Sequence, residues 1–441
     1  MSRKVFISFL GYSNYGGCHY CKDKYKSQNV RYIQEATIEY INTLSPWTGN
    51  DVALILLTEG AEKKNWVDNG HVDFKTKETI AAAGLHSRLM QMGLPLQIMP
   101  IKELPDGNNE NEIWEIFSRV YNELLDGDEV YFDLTHGFRY LPMLALVLGN
   151  YAKFLKKITV RHLSYGNYEG RNMNTNEAQI IDLMPLTNLQ DWTFAAASFL
   201  ENGNVIPLAK LSESTYLPLL KASKGKNESA LALRKFTESL KECVEDFQTC
   251  RGLNIERSKN INSLKNAIKQ VEENVIVPLK PVVQKIDSAI EPFDQKENIN
   301  NGFHAAQWCL NNGLYQQAAT ILQENVVSFF ADRHGIAIDD EKGRHLINNA
   351  FAILFNNLQD EEEKWQVADE DKEKIREILS DTLICNKEVF NTFNNLTEVR
   401  NDINHSGMRS TRLPLSSKKI KANIDKCVTL FHKLFVSSHV Y

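Results

Sequence analysis

Two short stretches of this sequence combine residue types that can do chemistry. The first is Asp133-Leu134-Thr135-His136-Gly137, a hydroxyl, an imidazole and a glycine placed between an apolar run and a helical pattern that begins near Tyr140. A helix start leaves backbone N–H groups unpaired, and glycine lets a ligand come close to the chain, so this stretch suits a polar ligand carrying phosphates. The plainer alternative is a strand-to-helix turn capped by Thr and His. The second stretch is Arg400-Asn401-Asp402-Ile403-Asn404-His405. An arginine and a histidine five positions apart are common at helix ends, where the arginine forms an ion pair and the histidine faces water.

The elements that must position these residues follow from periodicity. Apolar runs predict strands at 4–10, 52–58, 95–101, 129–134 and 158–164, with a further extended piece near 178–184. Helical patterns fit 28–44, 75–92, 110–125 and 140–155. Strands separated by such helices imply right-handed crossovers and a parallel, Rossmann-like sheet. Ligands bind outside the carboxyl ends of strands in such a sheet. The first strand runs into Gly11-Tyr12-Ser13-Asn14-Tyr15-Gly16-Gly17, and this loop and the one after Asp133 would form one site. Gly11, Ser13, Asn14, Thr135, His136 and Gly137 are therefore expected to line a pocket, with Glu59 and Arg139 as further candidates. The glycines after the first strand are wrongly spaced for Gly-x-Gly-x-x-Gly, and no Walker phosphate loop is present.

After Pro185 the pattern changes. Leu189 to Leu200 reads as a helix leaving the sheet domain, Gly203 to Pro218 as a connector, and the remainder from Glu228 as all-α.

Both stretches resemble known motifs. Asp-x-Thr-His-Gly, together with Phe9-Leu10-Gly11 at the end of the first strand, resembles the CARF sensor domain of type III CRISPR-associated ribonucleases. Arg400 to His405 resembles the Arg-x4-6-His motif of HEPN ribonucleases, including the polar residue after the arginine. The order, sensor then nuclease, covers most of the chain. The resemblance implies an α/β Rossmann-like CARF domain over 1–186 that senses cyclic oligoadenylate, a connector helix and linker over 187–227, and an all-α HEPN domain over 228–441. It leans towards cyclic tetra-adenylate over the hexa form as activator. It further implies a metal-independent endoribonuclease acting on single-stranded RNA in antiviral defence, releasing 2′,3′-cyclic phosphates, with composite sites formed across a homodimer. Within that motif His405 suits proton transfer, Arg400 suits stabilisation of a crowded phosphorane, and Asn401 can orient the histidine or hold a phosphate oxygen. A ligand-gated regulator or an adaptor without nuclease activity is the competing expectation.

Composition is compatible with this. The chain has 441 residues, enough for two or three domains, and 50 basic against 56 acidic residues give a net charge of -6. No global basic field is present, and a local groove would have to hold RNA; Lys418, Lys419, Lys421 and Lys426 are candidates for its rim. Seven scattered cysteines do not form a disulfide framework. Cys18 and Cys21 have metal-ligand spacing, but no second such pair exists, so they are expected as a reduced pair in the loop after the first strand, and no metal or other cofactor is expected. No apolar run approaches membrane-spanning length and no signal core follows Met1, which predicts a soluble cytoplasmic protein.

Overall fold

The computed structural model describes residues 2–136, 140–274, 279–408 and 413–436. The chain divides into two compact units, Met1–Asn188 and Leu189–Tyr441.

The first unit is built on an eight-stranded sheet. In chain order the strands are β1 (Lys4–Leu10), β2 (Cys18–Lys22), β3 (Tyr25–Val30), β4 (Val52–Thr58), β5 (Gln97–Leu104), β6 (Glu129–Asp133), β7 (Thr159–Gly166) and β8 (Glu177–Asp182). They lie in the order β3-β2-β8-β7-β6-β1-β4-β5. β1 and β4 are nearly continuous apolar runs because both of their faces are covered. Val5 and Ile7 join one core with Val52, Leu54 and Leu56. Phe6 and Leu10 join the opposite one with Ala53, Ile55 and Leu57, as a side-chain period of two requires.

The sheet is mixed where a parallel one was expected. β1, β4, β5, β6 and β7 run parallel, but β8 is antiparallel to β7, and β2 and β3 form an antiparallel hairpin whose first strand runs parallel to β8. This hairpin replaces the expected loop around Cys18 and Cys21 and the first turns of the helix expected over 28–44. That helix begins at Ile33 instead, with a capping box between Tyr32 and Glu35. The helix expected over 75–92 is limited to Leu85–Gln91, and the segment before it is irregular apart from a bridge between Val72 and Thr79.

All regular elements among the described residues of the second unit are helices. The expected connector from Gly203 to Pro218 falls largely within the helix Ile206–Ala222; Pro207 opens it, where a missing N–H costs nothing, and Pro218 lies in its last turns. The helix Lys387–Asn404 presents Val389, Phe393, Leu396 and Val399 to the core at helical spacing. Phe393 stacks on Phe351 at 3.9 Å between ring centres.

Candidate functional site

The register of the three central strands brings the site together. Ser8 on β1 lies beside Asp133 on β6, which lies beside Ser164 on β7, so the loops after these strands leave one edge of the sheet side by side. Asp133 is buried and ties that edge together. It accepts hydrogen bonds from the Ser8 hydroxyl at 2.7 Å and the Thr135 hydroxyl at 2.5 Å. Burial pushes its pKa up, and the bonds from Thr135 and Ser8 oppose that shift. Gln34, at the start of the helix Ile33–Leu44, donates to the Ser8 hydroxyl and the Phe9 carbonyl, both at 3.0 Å. Thr135 Oγ1 also accepts from the Gly166 N–H at 2.8 Å.

Above this network lies a cavity of about 510 Å³. Gly11, Ser13, Asn14, Thr135 and His136 all line it. Glu59 does not; it is exposed and paired with Lys63. Gly137 and Arg139 lie outside the described residues. The His136 ring stacks on Tyr15 with centroids 4.1 Å apart. Burial pushes the His136 pKa down to about 4, so the ring is neutral at physiological pH. Its Nε2 is buried with no partner among the described residues. Gly11 allows this packing, since a Cβ there would fall 2.3 Å from the Tyr15 hydroxyl. Arg31, just before the helix Ile33–Leu44, brings a cation to the same cavity. Its Nη2 donates to Asn14 Oδ1 at 2.9 Å, its guanidinium lies 5.5 Å from the Tyr32 ring centre, and its Nε has no partner among the described residues. A neutral imidazole, a guanidinium and several tyrosine rings around one cavity can hold phosphates and stack bases.

The second predicted constellation lies at one helix end. Arg400 and Asn401 occupy the last turns of Lys387–Asn404, and His405 is its exposed C-cap, with its N–H bonded to the Asn401 carbonyl at 3.0 Å. Arg400 is half-buried, and its Nε has no partner among the described residues. Asp402 is buried and accepts from the Leu415 N–H at 3.3 Å, a bond that fastens the returning chain. Ser406 and Gly407 both take positive φ, at 54° and 70°, and turn the chain sharply after His405. Lys418, Lys419, Lys421 and Lys426 are exposed on the helix Ser417–Phe431, and none forms an ion pair among the described residues.

Residues 5–169 match the family described as the CARF domain of the CRISPR system endoribonuclease Csx1. A CRISPR-associated protein of Methanocaldococcus jannaschii is 27% identical over 172 residues. The first unit is thus similar to a CARF domain. The chain spans about a quarter of that curated relative's length, the match covering 38% of this chain and 26% of the relative. Among solved structures, Enterococcus italicus Csm6 bound to cyclic hexa-2′-fluoro-hexa-dAMP aligns over 99% of this chain and 94% of that chain, with 11% identity and a TM-score of 0.43. Similarity at that level carries no functional argument.

Within the first unit, the cleft residues missed from sequence include Tyr15, Arg31 and Tyr168. Tyr15 lies in the glycine-bearing loop that was singled out, but nothing local marks it as a partner of His136. Arg31 and Tyr168 reach the cleft through the β2–β3 hairpin and the loop after β7, and only recognition of the hairpin would have pointed to Arg31. No helix among the described residues is long and apolar enough to cross a membrane.

Proposed function

We propose that the CARF-domain cleft binds cyclic oligoadenylate and that the second unit is a HEPN-type endoribonuclease switched on by that binding. The observation that carries the reading is that His136, whose buried Nε2 has no partner among the described residues, lines one cavity with Arg31 at the joined tips of β1 and β6. Thr135, His136, Gly11, Ser13 and Asn14 serve as activator contacts, with Gly137 and Arg139, which lie outside the described residues, as further candidates. Cyclic tetra-adenylate is the activator favoured by the sequence resemblance. In the nuclease unit, His405 moves the proton of the RNA 2′-hydroxyl, Arg400 neutralises the phosphorane, and Asn401 orients the reacting phosphate. Asp402 is assigned a structural role, because its carboxylate already holds the Leu415 N–H.

Purified protein should cut labelled single-stranded RNA in the presence of cyclic tetra- or hexa-adenylate and leave it intact without them. RNA that survives both activators would defeat the ribonuclease reading and leave a regulator or adaptor. RNA supplies its own nucleophile, so this chemistry requires no metal-bound water, and excess EDTA is expected to leave the activated rate within about twofold. Loss of activity that returns with a divalent ion would remove the mechanism.

The working unit is proposed to be a homodimer. Met143, Val147, Tyr151 and Phe154 form an apolar stripe on the helix Leu141–Leu155, and they are 69%, 50%, 47% and 75% exposed. Leu141 at the start of the same helix lines the cleft. A two-fold axis along the stripe would therefore place two clefts side by side, which matches a cyclic ligand of repeated units. Light scattering should give twice the chain mass, and Val147→Glu/Phe154→Glu should shift it to one chain mass. An unchanged mass in that variant would place the interface elsewhere.

A further inference from the structure

The loop after β1 is held by a residue outside it. Asn65 lies in the π-helical turn Glu62–Trp66 and is fully buried. Its Nδ2 donates to the carbonyls of Gly11 at 2.9 Å and Ser13 at 2.8 Å. Its Oδ1 lies 3.0 Å from His71 Nε2 and accepts from the Tyr32 hydroxyl at 3.4 Å. Both amide protons and the carbonyl oxygen are thus in use.

This pattern fixes the direction of two of the loop's peptide dipoles, those of the Gly11–Tyr12 and Ser13–Asn14 units, whose N–H groups point away from Asn65. Two carbonyls two positions apart turn towards one buried amide, and their negative ends are taken up there. The N–H groups of Tyr12, Ser13 and Asn14 have no acceptor among the described residues. N–H groups left free at a cleft can hold an anion when the carbonyls of the same peptide units are held elsewhere. We infer that Asn65 is a positioning residue for activator capture, holding the loop after β1 so that its N–H edge, and not its carbonyl edge, meets a ligand phosphate. This inference rests on the reading of the cleft as a cyclic oligoadenylate site.

Asparagine is required because the isosteric aspartate has no proton to give to either carbonyl. Calorimetry with cyclic tetra-adenylate on the full chain should therefore show Asn65→Asp and Asn65→Ala weakened by about tenfold or more, the scale of two lost hydrogen bonds. His71→Ala, which removes only a partner on the acceptor side, should stay within about threefold. In the unmodified protein the ligand should slow hydrogen exchange at the amides of Tyr12 and Asn14. A residue that only stabilised the fold would lower the melting temperature and leave both the affinity of the folded protein and this local protection unaltered. Ligand binding without protection of these two amides would overturn the inference even if neither variant folds, and so would Asn65 variants of unchanged affinity. A full chain that binds neither cyclic tetra- nor hexa-adenylate would instead overturn the cleft reading, and this inference with it.

Discussion

His405→Ala is expected to reduce activator-dependent RNA cutting by at least about a hundredfold, the lower end of what positioned acid–base groups contribute. Arg400→Ala should cost a similar factor or more, because a guanidinium aimed at developing phosphorane charge acts only in the transition state. Their positions favour this division of labour. His405 is exposed at the helix end, where substrate can reach it, whereas Arg400 is half-buried with an unpaired Nε. Both variants should bind cyclic tetra-adenylate as tightly as the unmodified chain, since the substitutions lie in the second unit. Gel-based cleavage assays and calorimetry on the same preparations check this. Normal cutting by His405→Ala, with contaminating nuclease excluded, would remove the proposed active site.

The second large effect is expected on activator capture. Arg31→Ala and His136→Ala each remove a group that has unfilled hydrogen-bonding capacity at the cleft. A hydrogen bond involving a charged group contributes about 1.5–3 kcal/mol, so the double variant should bind about a hundredfold or more weakly. The Arg31 part should also reduce the salt dependence of binding, because a screened guanidinium–phosphate contact has been lost. The variant should remain folded, since neither group supports the Asp133 network. Unchanged affinity in calorimetry would place the ligand elsewhere.

How much of this was legible depended on whether a residue's role is written in its neighbours. β1 and β4 were read with their observed limits because strands covered on both faces leave unbroken apolar runs. The loops that follow β1 and β6 could be read as one site because parallel strands deliver their carboxyl ends to one edge. The β2–β3 hairpin was missed because Tyr25-Lys26-Ser27-Gln28-Asn29-Val30 is largely polar, as edge strands often are, and leads directly into helical periodicity. The reversed direction of β8 could not be read, since orientation depends on the loop that returns the chain and not on the strand's pattern. Arg31 and Asn65 escaped for a related reason. Their partners are fixed only once the hairpin and the turn after β4 have packed around the loop. Asp402 stands inside the Arg400–His405 stretch, but its partner is the Leu415 N–H beyond the turn.

The two ends of the sheet have a consequence for how copies of this protein meet. β3 and β5 are the terminal strands, and terminal strands can recruit a further strand from another molecule. Here neither is a good template. β3 exposes Lys26, Gln28 and Asn29. β5 lacks one N–H at Pro100, and a register shift against Leu56 and Thr58 coincides with Glu103 at φ 54°, a bulge that bends the strand out of line. Edge-to-edge joining into a longer sheet is therefore blocked at both margins, which protects a sheet with such an apolar centre from runaway polymerisation.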